Sequence, residues 1–271
     1  MSAARNWVWS DGSLARVDAA EEGVAPAERV LVSDSWVADG GRTLALDVHR
    51  DRFLASVEAA DPGLVGEATA FWEAAVAVVP AAGSWWPRFD LVDAAAARAP
   101  FFRAAVRPAP ERRLAARLVT ASHDPRRSPL TKGPDLEALL ALRAEAHERG
   151  ADEAVILSPE GLVVEGNYAS IVWWSGDALC VVADELPRLP GVTERSLVTL
   201  ATALGVEVRR EVVAPEDLDG VEVWILNALH GARIATAWEG GPALAEEPGR
   251  LRTWRSRLAR LARPLPEAAT R

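Results

Sequence analysis

The chain has 271 residues, 49% of them hydrophobic and 25% charged, enough apolar material for one large or two small buried cores. A formal net charge of −9 removes the basic footprint that nucleic acid or an anionic membrane needs, and leaves open a local basic pocket for a small anion. Cys180 is the only cysteine, which excludes an intramolecular disulfide, and the opening Met1-Ser2-Ala3-Ala4-Arg5 lacks a secretory layout, so a cytoplasmic protein is expected.

In chain order, Ala27 to Val32 leads into Ser33-Asp34-Ser35-Trp36, and Asp39-Gly40-Gly41 signals a turn. Thr43 to Val48 alternates as a strand would. Asp51 to Ala60 has helical spacing and stops at Asp61-Pro62-Gly63, and Gly66 to Val79 reads as a second helix. Its apolar stretch, Phe71 to Val79, is far too short for a membrane span. Phe101 to Val106 and Leu114 to Thr120 read as a strand pair. The polar stretch His123 to Pro129 has no periodicity and is the expected connection between two domains. The boundaries that follow are 1–121, a linker over 122–131, and 132–271.

After the linker, Asp135 to Arg149 reads as a helix stopped by Gly150. Ala154 to Leu157 and Leu162 to Glu165 form an expected hairpin, as do Ala169 to Trp174 and Ala178 to Val182. Thr193 to Leu204 is a helix after Pro190-Gly191. Val206 to Val213 and Val221 to Leu226 are strands, and Arg252 to Arg263 is a closing helix. The whole is a mixed α/β chain in two parts.

Lys132 is the only lysine; every other basic residue counted in the charge is an arginine. A position that stays lysine in such a chain suggests a task arginine cannot do, namely losing a proton and attacking a carbonyl. The alternative is one surface lysine surviving by chance. Eleven tryptophans against the single Tyr168 read as core filling, and Cys180, in an apolar run, as a core residue. His49, His123, His147 and His230 show no ligand-like spacing, so no metal is expected.

Taken in order, several motifs resemble one family. They are His49-Arg50-Asp51-Arg52-Phe53, Leu130-Thr131-Lys132, Asp152 to Leu157, Glu165-Gly166 and Leu189-Pro190-Gly191-Val192-Thr193, with Glu165 lying 33 residues after Lys132. The set is similar to the class IV aminotransferases, from about residue 45 to 238. The resemblance implies the two-domain fold of fold-type IV enzymes, like that of D-amino acid aminotransferase. It also implies a homodimer, pyridoxal 5′-phosphate (PLP) between the domains, and a Schiff base on Lys132. It further implies that Glu165 meets the pyridine nitrogen, that Arg52 and the 191–193 turn take the phosphate, and that Asn227 and Ala228 line the cofactor.

The chemistry of each residue type agrees. Glu165 ends the apolar run Leu162-Val163-Val164, where an ionised carboxylate needs a partner unless it is exposed at the turn. Backbone N–H groups at a helix start suit a phosphate, and Thr193 can cap that helix while Glu194 faces solvent. Arg52 shares a helical face with His49, Phe53 and Ser56, which points it inward; a solvated arginine is the alternative.

Tyr168, Ser170 and His230 are candidates for the substrate side. Departures from the family pattern at Ser33 to Trp36, at Gly133-Pro134-Asp135 and at Asn167 to Ser170 leave the substrate open. Asn227-Ala228-Leu229 is similar to 4-amino-4-deoxychorismate lyases, which tilts the expected reaction to release of pyruvate and 4-aminobenzoate. The alternatives are a transaminase of branched-chain or D-amino acids and a non-catalytic relative. Arg107, Arg126, Arg127 and Arg233 are the candidate partners for a substrate carboxylate, with a solvated face as their usual fate.

Overall fold

The computed structural model describes residues 4–17, 28–94 and 99–266. Ala27, where one expected segment begins, lies outside them. The chain separates into two compact units: Met1–Glu111 with Thr131–Pro134 and Leu261–Arg271, and Arg112–Leu130 with Asp135–Arg260.

The first unit runs β1 (Arg5–Ser10), β2 (Ser13–Val17), β3 (Glu28–Ser35), β4 (Ala38–Asp39), β5 (Arg42–Thr43), α1 (Leu46–Ala60), α2 (Val65–Ala77), β6 (Ser84–Ala94) and β7 (Phe101–Pro108). The second holds β8 (Ala115–Thr120), α3 (Leu136–Glu148), β9 (Glu153–Leu157), β10 (Val163–Gly166), β11 (Ser170–Ser175), β12 (Ala178–Val182), α4 (Val192–Ala203), β13 (Val208–Glu211), β14 (Glu222–Asn227), β15 (Gly231–Glu239) and α5 (Arg250–Arg260). A final strand, β16 (Arg263–Pro264), returns to the first unit against β5.

The first unit is one sheet, ordered β16-β5-β4-β6-β7-β1-β2, with β3 also on β6. Alternation along β6 sends Trp85, Phe89 and Leu91 into the core and Trp86, Arg88 and Asp90 to the other face. Helices α1 and α2 bring Phe53, Phe71 and Trp72 into that same core. Phe53, Phe71, Trp72, Phe89 and Phe102 pack ring against ring. Each buried ring contributes roughly 1.5–3 kcal/mol from area alone, so this cluster anchors α1, the helix that carries His49 and Arg52.

The second unit is a sheet ordered β10-β9-β8-β15-β14-β11-β12-β13, with β8 parallel to both neighbours and β12 parallel to β13. Strands β9, β10, β11, β12 and β14 are buried on both faces, and α4 and α5 pack Leu197, Ala201, Trp254 and Leu258 against one of those faces. Ten of the eleven tryptophans are buried, which matches their reading as core filling.

Three expectations are corrected. Thr43 to Val48 is not a strand: β5 ends at Thr43 and α1 starts at Leu46, after Ala45 in the left-handed region. Phe101 to Val106 and Leu114 to Thr120 do not pair; β7 joins β6 and β1, while β8 joins β15 and β9. Two strands next to each other in sequence were open to a local pairing, but β7 turns back on the preceding β6 and on β1, while β8 pairs with β9 and the distant β15. The compact units also divide the chain elsewhere than at 122–131, because the Lys132 segment groups with the first unit.

The physical reason is a backbone bond. Ser33 N–H donates to the Lys132 carbonyl at 2.7 Å, so the lysine is pinned beside β3. Gly133, at φ +139°, lies so close that a Cβ would stand 2.9 Å from Ser33 N and from Val32 Cα. Gly133→Ala is expected to destabilise the first unit by about 1–3 kcal/mol or more and to slow PLP capture. Chemical denaturation and a PLP titration check both effects; unchanged values in both would refute the pinning.

Candidate active site

The candidate residues fall into one group in each unit. In the first unit the centre is Asp34, fully buried on β3. Its Oδ2 accepts from Arg52 Nε at 2.9 Å and its Oδ1 from Arg52 Nη2 at 2.9 Å, a forked pair that fixes the guanidinium plane. The same Oδ1 meets His49 Nδ1 at 2.7 Å and the Ser35 N–H at 2.7 Å. Burial pushes the Asp34 carboxyl up, but Arg52 and His49 outweigh it and hold the group well below the usual carboxylate range.

An ionised carboxylate only accepts, so His49 Nδ1 carries the proton. Burial keeps the imidazole neutral, pulling its pKa down against the pull of Asp34. Helical spacing sets this up: His49 and Arg52 lie three residues apart on α1 and reach one carboxylate.

Lys132 lies within electrostatic reach of the same cluster. Burial and then Arg52 lower its pKa to about 8, against the opposing pull of Asp34. At neutral pH a usable fraction is therefore the free amine, the form that attacks a carbonyl.

In the second unit Glu165 lies on β10, just past a bulge between Val163 and Glu165 that re-aims the strand. It is buried, as its apolar run requires, and it has partners. Arg126 Nη1 donates to Oε1 at 2.5 Å, and the Leu189 N–H donates to Oε2 at 3.2 Å. Burial raises its pKa to about 7, with Arg126 opposing.

Leu189 leads into Gly191, the N-cap of α4, which has no side-chain cap bond. The first N–H groups of α4 therefore lack intrahelical acceptors. A Cβ on Gly191 would meet Ser170 Oγ, so any other residue there would require that hydroxyl to turn away. Val192 and Thr193 are buried at the helix start. The structure thus brings Glu165, Ser170 and the 191–193 turn into one group.

Other expectations fare differently. Glu194 does not face solvent: it is buried and paired through both oxygens with Arg188, each at 2.8 Å. Neither Arg126 nor Arg233 sits on a solvated face. Arg126 is bound to Asp124 and Glu165, and Arg233 is buried against Glu153 at 2.9 Å. Arg107 lies over the Trp86 ring at 4.5 Å, whereas Arg127 is exposed, as its usual fate predicts, and only its backbone N–H is held, by Asp135.

Tyr168 donates its hydroxyl to Leu136 O at 3.0 Å. Asn227 closes the β14–β15 turn by accepting the His230 N–H at 2.8 Å, with Ala228 inside that turn. His230 accepts the Arg113 N–H, and burial among arginines lowers its pKa to about 4, so it is neutral. Asp34 and the Arg126 contact to Glu165 escaped the sequence reading. The available signal was a charged residue in each of two apolar or linker contexts, too common a feature to single them out.

The chain matches the amino-transferase class IV family over residues 31–238. No curated protein sequence matches it. Among solved structures, a hypothetical aminotransferase from Mycobacterium tuberculosis in its PLP-bound form shares 18% identity, covering 96% of this chain and 98% of that one, with a TM-score of 0.75. A branched-chain aminotransferase from Thermoproteus uzoniensis with norvaline shares 20%, covering 97% and 100%, at 0.76. A branched-chain amino acid aminotransferase from T.th., complexed with N-(5'-phosphopyridoxyl)-L-glutamate, shares 20%, covering 96% and 95%, at 0.76. These likenesses agree with the mixed α/β architecture, and the family match extends across both candidate groups. The chain belongs to the class IV aminotransferases, a family of PLP-dependent enzymes.

Proposed function

We propose that this chain is an aminotransferase acting on branched-chain or D-amino acids, with Lys132 as the residue that holds PLP and moves the substrate proton. One observation carries the reading: in a chain that matches the class IV family over residues 31–238, the sole lysine is held beside β3 by the Ser33 N–H bond to its carbonyl, near Arg52 and Asp34. The residues fit the cofactor by their donor sets. Each Glu165 oxygen accepts one bond from the chain and retains a second lone pair for a ring N–H. The uncapped start of α4 and Arg52 offer donors to a phosphate.

PLP, when bound, supplies an aldehyde for amines and a ring that withdraws electrons from the substrate Cα. Around it the chain's residues divide the work. Lys132 Nζ takes the proton from the substrate Cα and returns it. Glu165 keeps the ring nitrogen protonated, Arg52 and the 192–193 amides orient the phosphate, and Asp34 orients Arg52. Tyr168, Ser170 and His230 belong to the substrate side, with His230 acting as a neutral group. Branched-chain amino acids and glutamate are the first donors to test, given the names of the similar structures. A cytoplasmic homodimer completes the proposal.

The second reading, aminodeoxychorismate lyase, rests on Asn227-Ala228-Leu229. Its weight is reduced because Asn227 has a structural task in closing the hairpin. Incubation with amino acids and 2-oxoglutarate should yield glutamate and new keto acids. Release of 4-aminobenzoate and pyruvate from aminodeoxychorismate, with no amino transfer, would establish the lyase instead.

The Lys132 pKa gives a prediction for the apoprotein. Only the neutral amine attacks the aldehyde, so the rate of PLP capture should rise about tenfold per pH unit below about 8 and level off above it. Stopped-flow absorbance from pH 6 to 9.5 measures this, and a flat profile would contradict a desolvated lysine.

A further inference from the structure

We infer that Arg126 is a positioning residue that couples the Glu165 carboxylate to the phosphate-binding turn at 191–193. The inference rests on the proposed role of Glu165 and extends it. Arg126 is 5% exposed at its side chain and places four of its five side-chain N–H groups on acceptors. Its Nε and Nη2 donate to the two oxygens of Asp124 at 2.9 and 2.8 Å, which holds the guanidinium from behind. Its Nη1 donates forward to Glu165 Oε1 at 2.5 Å and to the Pro187 carbonyl at 3.1 Å. The Asp124 carboxylate also accepts the Arg126 N–H at 3.0 Å, so residues 124–126 form a small closed turn.

The segment 187–189 is thereby fastened at three consecutive residues. The Pro187 carbonyl is bound by Arg126. The Arg188 side chain is forked onto Glu194 in the first turn of α4 and also reaches Val182 O. The Leu189 amide is bound by Glu165. Two residues later the chain reaches Gly191 and the α4 start. A guanidinium is rigid and planar, so moving Glu165 moves the direction of the Pro187 bond, and the reverse. Lysine at 126 would lack the fork that holds Asp124 and Glu165 on opposite edges.

The arrangement predicts that losing Arg126 weakens two recognition events that are chemically unrelated. One is ring binding through Glu165, and the other is phosphate binding at the turn. A residue that served Glu165 alone would affect only the first. Arg126→Gln, Arg126→Lys, Asp124→Asn, Glu165→Gln and wild type are compared as full-length apoproteins. Two probes are titrated: pyridoxal, which lacks the phosphate, and inorganic phosphate, read by shift in unfolding temperature.

The expected result is a loss of about ten- to a hundredfold in both affinities for Arg126→Gln. Arg126→Lys should restore neither, and Asp124→Asn should weaken both to a smaller degree. Glu165→Gln should weaken pyridoxal and spare phosphate. An Arg126→Gln protein with wild-type phosphate affinity overturns the coupling. If Arg126→Gln fails to fold, Asp124→Asn decides alone: loss on both probes supports the coupling and loss on one refutes it. Unchanged pyridoxal affinity in Glu165→Gln would instead remove the assignment of Glu165, a failure separate from that of the coupling.

Discussion

Replacing Lys132 with alanine is expected to abolish covalent capture of PLP and to lower turnover by at least about 10²–10⁴-fold. The chain has no second lysine that could take over, and its arginines stay protonated at any working pH. Borohydride reduction followed by peptide mass analysis should show a pyridoxyl group on Lys132 in wild type and on no residue of the variant. Retained covalent labelling in the variant would disprove the assignment.

The same substitution site carries a stability prediction of opposite sign. The folded pKa of Lys132, about 8, lies below the ordinary value of 10.5. Between those values the unfolded chain binds more protons than the folded one, so apoprotein stability rises with pH across that window. Below it the partly desolvated cation is a standing cost. Lys132→Met should therefore melt higher than wild type at pH 7, and the difference should shrink as the pH passes from 8 to 10.5. Calorimetry of the two apoproteins at pH 7 and 10.5 reads this, and an equal or lower melting temperature at pH 7 would show that the ammonium is well solvated.

Much of this site was legible because its chemistry demands residue types that sequence can display. A unique lysine, a carboxylate closing an apolar strand and a Pro-Gly turn before a helix each carry their reason locally. The second half of the chain also read well: both hairpins, α3, α4 and the strand β14 fall close to their expected spans. Periodicity there is set by near neighbours. The first sheet read poorly because its order is set by non-consecutive pairings, β1 with β7, β3 and β4 with β6, and β16 with β5, laid over its local hairpins. β6 hides its alternation, because apolar Trp86 and Val92 share a face with Arg88 and Asp90, yet it is the strand on which β3, β4 and β7 all assemble.

Partners of buried charges are invisible for the same reason. Glu165 and Arg126 are 39 residues apart, and Glu153 and Arg233 are 80 apart. Burial of a charge can be argued from an apolar run, whereas the identity of its counter-ion depends on tertiary contact. Glu194 illustrates the error this causes. On a helix start it looked solvent-facing, and only Arg188 six residues earlier explains why it can be buried.

Asp34 is the residue where this blind spot has the largest consequence for stability. Asp34→Asn keeps the shape and removes the charge that neutralises Arg52, whose side chain is only 11% exposed. Breaking one half of a buried forked pair costs about 3–5 kcal/mol, and denaturant unfolding at pH 7 should show a loss of that order. The sign with pH follows from the depressed carboxyl: its contribution is fully present above the ordinary carboxylate pKa of 3.8 and is lost as the pH falls below that value toward the folded one. Wild type and variant should thus converge below about pH 4.

A second substitution separates stability from function. Asp34→Asn with Arg52→Met removes both charges, and replacing a buried pair by neutral groups is far cheaper than orphaning one member. The double variant should recover most of the lost stability. It should not recover affinity for inorganic phosphate or PLP, because the guanidinium itself is gone. Recovery of both would mean that Arg52 serves only as the structural partner of Asp34. Recovery of neither would place the main cost on His49, whose neutral imidazole also depends on that carboxylate for its hydrogen bond.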